Sequence, residues 1–326
     1  MKKKLKNIVS RFKNKRILVV GDLILDHHIF GNVDRVSPEA PVPVVWANQE
    51  KFVPGGAANV GLNLSAIGAR VSLCGVTGRD HFGKTLFSLI SKCGISTNLI
   101  VKDNKRPTTL KTRIIAHHQQ VVRVDWESLE FLSANTNKLV LNKIKNNLND
   151  FDAVIVEDYG KGVINPPLLE ELVRLCRKKK KIITVDPKEE HFDYYEDVTA
   201  LTPNLKEAQA AAGTKIRNKN QLPFLGKIIM KKLNPKALLI TLGEDGMMLF
   251  CGDNHYHIPT AALEVFDVSG AGDTVISAFT LALTAGASYK EAAMIANFAA
   301  GIVVGKLGAA TVNRKELNKA IDGNKA

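Results

Sequence analysis

Short apolar runs alternate with segments of helical period along most of this sequence, and no other feature limits its fold as strongly. The runs are "RILVVGD" (16–22), "RVSLCGVTG" (70–78), "DAVIVED" (152–158), "KIITVDPK" (181–188), the start of "ALTPNLKEAQAAAG" (200–213) and "ALLITLGEDGMMLF" (237–250), the last a strand, a turn and a second strand. Between them, "AANVGLNLSAIG" (57–68), "FGKTLFSLISKCG" (82–94), "ANTNKLVLNKIKNNL" (134–148) and "PPLLEELVRLCRKK" (166–179) space their apolar residues as helices do, and two more helices are expected over 271–286 and 289–305. Parallel strands need crossover connections, usually helices, which then cover both faces of the sheet. The alternation therefore predicts an α/β fold of three layers, α/β/α, around a mostly parallel central sheet.

Two segments break the alternation. "HHIFGNVDRVSPEAPVPVVWANQEKFVPGG" (27–56) and "TLKTRIIAHHQQVVRVDWE" (109–127) are extended, and the first is punctuated by proline. They read as a small β-sheet lid, inserted at roughly 27–54 and 109–125 into one catalytic domain spanning 16–315. A basic N-terminal arm (1–15), expected to be partly disordered, and a C-terminal tail (316–326) flank it.

The chain has 326 residues and a formal net charge of +13. Much of that charge lies in "MKKKLKNIVSRFKNKR" and in short runs such as "RKKKK" (177–181). No aromatic residues interleave with these runs, and no zinc-finger spacing or basic region with heptads accompanies them, so a solvated surface is expected and not a nucleic-acid interface. No apolar run approaches the ~18 residues of a membrane span. The N-terminus lacks the apolar core of a secretory signal. Cys74, Cys93, Cys176 and Cys251 are far apart and read as buried or half-buried thiols of a reducing compartment, the cytoplasm. His27/His28, His117/His118 and His255/His257 have no carboxylate or cysteine partner at metal spacing.

Chemistry concentrates in "DVSGAGDT" (267–274), where small residues stand before Asp273 and an apolar helix. Bared amides at a helix start suit a phosphate. A carboxylate beside them suits a base that takes a proton from a hydroxyl. On these residues alone, a glycine turn with Asp273 as helix cap stays open. "GRDHFGKT" (78–85) also fits the P-loop pattern, with Lys84 and Thr85 in place and "AVIVED" (153–158) as a possible magnesium strand. Asp80 would repel phosphate there, and His81 and Phe82 are bulky where backbone must approach closely. An ordinary strand–loop–helix joint, with Asp80 at the helix start, is favoured over a P-loop NTPase.

"GGAANVGLNLSAIG" (55–68), "GVTGRDHFG" (75–83) and "DVSGAGDTVISAF" (267–279) together resemble the signatures of the ribokinase-like (PfkB) carbohydrate kinases. "GDLILDHHIFGNVDRVSPEAPVPVV" (21–45), "EDYGKGV" (157–163) and "TPNLKEA" (202–208) resemble the bacterial members acting on D-glycero-D-manno-heptose 7-phosphate. With no HxGH motif, the chain resembles a stand-alone kinase. The resemblance implies a ribokinase-like fold and transfer of the ATP γ-phosphoryl group to the C1 hydroxyl, giving heptose 1,7-bisphosphate for ADP-heptose and lipopolysaccharide core synthesis. The alternative is another sugar or sugar phosphate. ATP and Mg2+ are implied, with a monovalent cation left open. A small exposed sheet leaves unpaired strand groups at its edges, so a homodimer in which lids pack together is expected.

Some residue roles follow from the same resemblance; those of Asp22, Lys161, Lys188, Arg35 and Arg113 follow from residue type and position. Asp273 is the base, and the amides of Gly270, Ala271 and Gly272 hold the γ-phosphoryl group. Asn204, Leu205, Lys206 and Glu207 lie near the phosphates, with Glu207 serving Mg2+ through water. Thr241, Gly243 and Gly246 meet the α/β phosphates, and Asn297 the adenine. Asp22, Gly55, Gly56 and Asn59 meet the sugar. Lys161 and Lys188 neutralise phosphate charge, and Arg35 and Arg113 grip the 7-phosphate.

Overall fold

The computed structural model describes residues 1–117 and 119–323; His118 of the second lid segment and the last three residues of the expected tail lie outside the described residues. The chain opens with α1 (Lys2–Ser10), β1 (Arg16–Gly21), β2 (Leu23–Val36), β3 (Pro43–Gly56) and α2 (Ala57–Ile67). It continues through β4 (Arg70–Cys74), β5 (Val76–Gly78), α3 (His81–Lys92), β6 (Val101–Asp103), β7 (Thr109–Ala116) and β8 (Gln119–Trp126). Next come α4 (Ala134–Asn147), β9 (Ala153–Glu157), α5 (Pro166–Lys178), β10 (Ile182–Asp186), β11 (Ala200–Leu201), α6 (Leu205–Ala211) and α7 (Leu222–Leu233). The chain closes with β12 (Ala237–Thr241), β13 (Met247–Cys251), β14 (Asn254–Ile258), α8 (Ala271–Thr284), α9 (Tyr289–Val303) and α10 (Arg314–Gly323).

Eight strands form the central sheet in the order β14-β13-β12-β11-β10-β9-β1-β4. Pairing is parallel from β12 to β4 and antiparallel for the β12–β13 and β13–β14 pairs. Successive residues of a strand face opposite sides, and β1 shows the result. Ile17 and Val19 enter a core with α2, α8 and α9, while Leu18 and Val20 enter a second core with α4, α5 and α7. Burial on both faces explains why β1 and β9 read as unbroken apolar runs. The expected three-layer α/β/α fold is present.

The parallel strands all deliver the chain to one edge. Asp22 follows β1, Glu157 ends β9, Asp186 ends β10, Asn204 follows β11 and Thr241 ends β12. A lone parallel bridge joins Asn204 to Thr241. The carboxyl edge of a parallel sheet is where ligands bind in open α/β folds.

The lid is a four-stranded sheet, β3-β2-β7-β8. β2 pairs antiparallel with β3 and parallel with β7, which pairs antiparallel with β8. Its inner end is rooted in the body by buried Leu23, Ile24, Leu25 and Leu110, and by Phe52 against Phe82 of α3.

The N-terminal arm is not disordered. It forms α1, whose Leu5, Ile8 and Val9, with Phe12 after it, are buried beside Leu317 and Ile321 of α10. The cause is amphipathic spacing beneath the lysines. Lys4 reaches Glu291 (2.6 Å) and Lys6 reaches Asp322 (2.7 Å). Residues 314–323 are likewise a packed helix and not a free tail. Cys93, expected to be at least half-buried, is exposed. In the P-loop-like segment, Asp80 caps α3 by accepting from the Gly83 amide (2.7 Å) and also binds the Thr108 amide (2.8 Å), while Lys84 is exposed. The ordinary strand–loop–helix joint is what forms. Among the described residues no helix is long and apolar enough to cross a membrane.

Because Phe12 is fully buried between helices, Phe12→Ala should cost about 3–5 kcal/mol of stability. Urea unfolding of the two proteins measures this; a cost below about 1 kcal/mol, typical of surface positions, would show that α1 is not docked.

Candidate active site

Asp273 lies in the first turn of α8, whose N-cap, Gly270, offers no capping side chain. Gly270 has φ +75°, and a Cβ there would stand 2.9 Å from Asn59 Nδ2, so the turn requires glycine. At Gly272 a Cβ would meet only Asp186 Oδ2, at 3.7 Å. Of the three amides expected to hold a phosphoryl group, that of Ala271 already donates to the Val268 carbonyl (3.2 Å).

The Asp273 carboxylate is buried. Asn59 Nδ2 donates to its Oδ2, and the Tyr159 hydroxyl donates to Oδ1 (3.1 Å). Burial raises its pKa to about 6, against the pull of the Asn59 and Tyr159 bonds. A carboxylate so placed is ionised near neutrality and still basic enough to accept a hydroxyl proton.

Three carboxylates converge here. Oxygens of Glu157, Asp186 and Asp273 lie within 4.8 Å of one another. Glu157 Oε2 is buried without a hydrogen-bond partner. Burial, then the neighbouring charges, drives Glu157 and Asp186 well above the usual carboxylate range; Glu207 heads the charges acting on Asp186. Crowded oxygens with an orphaned acceptor fit a hard divalent cation such as Mg2+. Glu207, expected to serve that ion, is in a capping box: its Oε2 accepts from the Asn204 amide (2.8 Å), and Asn204 Oδ1 accepts from the Glu207 amide (3.0 Å).

A cleft of about 390 Å³ runs from Asp273 beneath the lid. Its wall includes Gly55, Gly56, Asn59, Lys161, Lys188, Arg113, Gly270 and Asp273, all expected at the site, so segments distant in sequence meet as anticipated. Arg113 pairs with Asp26, and Lys161 Nζ with Glu127 (2.7 Å).

Two expected sugar contacts are not brought to this wall. Asp22 is buried beneath it. Its Oδ2 accepts from the Tyr159 (2.9 Å) and Lys161 (3.1 Å) amides, and its Oδ1 from the Val163 amide (3.1 Å). It shapes the loop that carries Tyr159 and Lys161. Arg35 is exposed at the outer end of β2, too far along a strand rising ~3.3 Å per residue to join Asp26 at the wall.

On the nucleotide side, the Thr241 amide donates to the Pro203 carbonyl (2.9 Å), drawing the start of α6 against the β12 turn. That turn has Gly243 at φ +61° and Gly246 at φ +84°. Leu205 and Lys206 open α6, and Lys206 is exposed and paired with Glu189 (2.9 Å). Asn297 is buried on α9 and donates to the Pro259 carbonyl (2.7 Å).

Sequence reasoning missed Asp26, Lys111, Arg123, Tyr159 and Asp186 at the site, and treated Glu157 only within the P-loop alternative. Two signals were available. "VIVED" and "ITVDP" each end a buried strand on an acid. Lys111 and Arg113 share a face at spacing two.

A description of the pfkB family carbohydrate kinases matches residues 14–316. The chain belongs to that family. It is accordingly an ATP-dependent carbohydrate kinase. The bifunctional protein HldE of Desulfatibacillum aliphaticivorans is 44% identical over 95% of this chain, and that of Geobacter sulfurreducens 42% over 96%. The chain spans 63% and 64% of those relatives' lengths. Among solved structures, ribokinase of Arabidopsis thaliana complexed with ribose and ATP superposes with a TM-score of 0.73 at 21% identity, covering 95% of this chain and 100% of that one. Phosphofructokinase-2 of Escherichia coli in complex with potassium gives 0.78 at 17%, covering 95% and 98%. At those identities the likeness is one of fold.

Burial and Asp158 hold the Asp22 pKa at about 6, above its unfolded value of 3.8. The fold therefore binds the proton more tightly than the unfolded chain, and stability from this group is lost as pH rises from about 4 through about 6. Relative to Asp22→Asn, the wild type should lose up to ~3 kcal/mol over that window. Parallel urea titrations at several pH values measure the difference; a pH-independent gap would show that Asp22 does not titrate there.

Proposed function

We propose that this kinase transfers the γ-phosphoryl group of ATP to the C1 hydroxyl of D-glycero-D-manno-heptose 7-phosphate, giving heptose 1,7-bisphosphate, a step toward ADP-heptose and the lipopolysaccharide core. The observation that carries the reading is Asp273, buried at an uncapped helix start and facing a cleft lined with cations. In this reading Asp273 accepts the hydroxyl proton while Asn59 and Tyr159 fix the orientation of its carboxylate. The amides of Gly270 and Gly272 hold the phosphoryl oxygens. Lys161 and Lys188 offset charge that builds during transfer. The nucleotide phosphates lie along Asn204–Glu207 and the Thr241–Gly246 turn, with the adenine toward α9. Glu157 and Asp186, with Glu207 nearby, would hold Mg2+, which when bound would neutralise phosphate charge. The relatives named HldE favour the heptose substrate, as does the match of residues 21–45 to heptose kinases.

The lid also favours a homodimer. β8 exposes Val122, Val124 and Trp126 at 45%, 41% and 62%, and their pairing with Ile114, Thr112 and Leu110 places them on the face opposite the cleft. An apolar sheet face of this kind suits a second copy of itself.

Asp273→Asn keeps the shape and removes the proton acceptor. Turnover should fall roughly 10²–10⁴-fold, with ATP binding by calorimetry retained. Retention of more than about a tenth of wild-type turnover makes Asp273 a helix cap, and preferred turnover of ribose or fructose phosphate across a sugar panel removes the heptose assignment.

Sedimentation at working enzyme concentration should give a dimer that Trp126→Glu converts to monomer. A wild-type monomer counts against the lid interface.

A further inference from the structure

Behind the cleft wall lies a buried polar cluster that the reaction at Asp273 does not use. Asp158 follows β9, and its amide donates to the Asp186 carbonyl (3.2 Å), tying the ends of β9 and β10 together. Its side chain is fully enclosed. Oδ1 accepts from the Gly160 amide (2.8 Å), and Oδ2 accepts from the Tyr195 hydroxyl (2.7 Å). His191 Nδ1 lies 2.8 Å from the same Oδ2. The Tyr195 hydroxyl in turn accepts from the Lys188 amide (2.9 Å). One carboxylate therefore grips two segments: the loop that carries Tyr159 and Lys161, and the turn after β10 that carries Lys188.

Tyr195 is fully buried in the second core, with its ring edge-on to Phe192 (centroids 5.8 Å apart). A phenylalanine would fill that space without burying a hydroxyl, so the hydroxyl is explained by the two bonds it makes. Lys188, at the end of this chain of bonds, lines the cleft with Asp273. Burial raises the Glu207 pKa, and the Lys188 charge is among the groups that oppose the rise. Lys188 thus stands between the cleft and the start of α6. Its stem crosses Gly160, where φ is +66° and a Cβ would lie 3.3 Å from both Cγ and Cε of the lysine. Among the described residues its one ion pair is with the exposed Glu190, at 3.4 Å. The ammonium group is loosely held, whereas the backbone and stem beneath it are fixed.

We propose that Asp158 and Tyr195 are positioning residues for Lys188: Tyr195 fixes its backbone, and the Gly160 turn held by Asp158 supports its stem, so that the ammonium group meets the phosphoryl group being transferred. The inference rests on the charge-offsetting role given to Lys188 above and adds what holds that lysine in place. Neither residue touches substrate; both act through Lys188. Charge offset of this kind grows as transfer proceeds, and an interaction made mainly in the transition state is read in kcat more than in KM. The sugar KM is therefore expected to change little when the support is removed.

A double-mutant cycle tests this with ATP, Mg2+ and whichever sugar a substrate panel prefers, so that failure of the heptose assignment leaves the test intact. Lys188→Gln should lower kcat roughly 10- to 100-fold, the range for a lost charged hydrogen bond. Tyr195→Phe keeps the ring and should lower kcat roughly 3- to 10-fold, with the sugar KM within about threefold and circular dichroism unchanged. Gly160→Ala, which presses on the lysine stem, should lower kcat on a similar scale, about 3- to 10-fold. Added to Lys188→Gln, each of these two changes should cost less than about a further twofold, because residues acting through one partner are not additive. Losses that multiply in full overturn the proposal and leave Asp158 and Tyr195 as a structural pair. Wild-type kcat in folded Tyr195→Phe and Gly160→Ala also overturns it, and either variant decides alone if the other does not fold. Wild-type kcat in Lys188→Gln removes the role of the lysine, and the positioning with it.

Discussion

The packing of α8 against α2 is the contact on which the rest of the site depends. Its core is a polar seam. Asn59 donates to Asp273, Thr274 Oγ1 to Asn63 Oδ1 (2.8 Å), and Ser277 Oγ to the Val60 carbonyl (3.3 Å). These groups are buried among Ala57, Ala58, Ala278 and Ala282, whose small side chains let the helices approach closely. Buried polar groups are costly unless satisfied, and although Asn59 Oδ1 keeps no partner, these three bonds are made in one register. That register puts a helix start, a carboxylate and the floor of the cleft in a fixed relation, although the two helices are separated by most of the chain.

A second constraint is the number of acids at the carboxyl edge of the sheet. Asp22, Glu157, Asp186 and Asp273 are all raised by burial above the usual carboxylate range. Among the described residues no cation side chain forms an ion pair with Asp22; three backbone amides bind its carboxylate instead. Such an arrangement disfavours the empty fold and favours whatever brings positive charge to it. The basic lid supplies an opposite field a short distance away, so the cleft is polarised from end to end.

Much of this was legible in the sequence because local pattern fixes it. Apolar runs between helical segments predict the sheet, and proline-punctuated alternation predicts the lid. "DVSGAGDT" marks the uncapped start of α8. What escaped was decided by tertiary contact. Asp22 and Asp26 are acids four residues apart near the site, and the path of loop 159–163 makes the first a loop clamp while strand register makes the second part of the wall. Arg35 and Arg113 look alike in sequence; strand register puts one in the cleft and the other at a solvent-exposed tip. The basic N-terminus was misjudged because its lysines hide the spacing of Leu5, Ile8, Val9 and Phe12.

β1 and β2 are nearly continuous, interrupted only at Asp22. The lid is therefore a lever whose fulcrum is that residue. Because the Asp22 carboxylate grips the amides of Tyr159, Lys161 and Val163, a tilt of β2 is geared to the loop that touches Asp273 through Tyr159. The strand that enters the lid and the Asp273 carboxylate are thus joined by two hydrogen-bonded links, Asp22 to the loop and Tyr159 to Asp273.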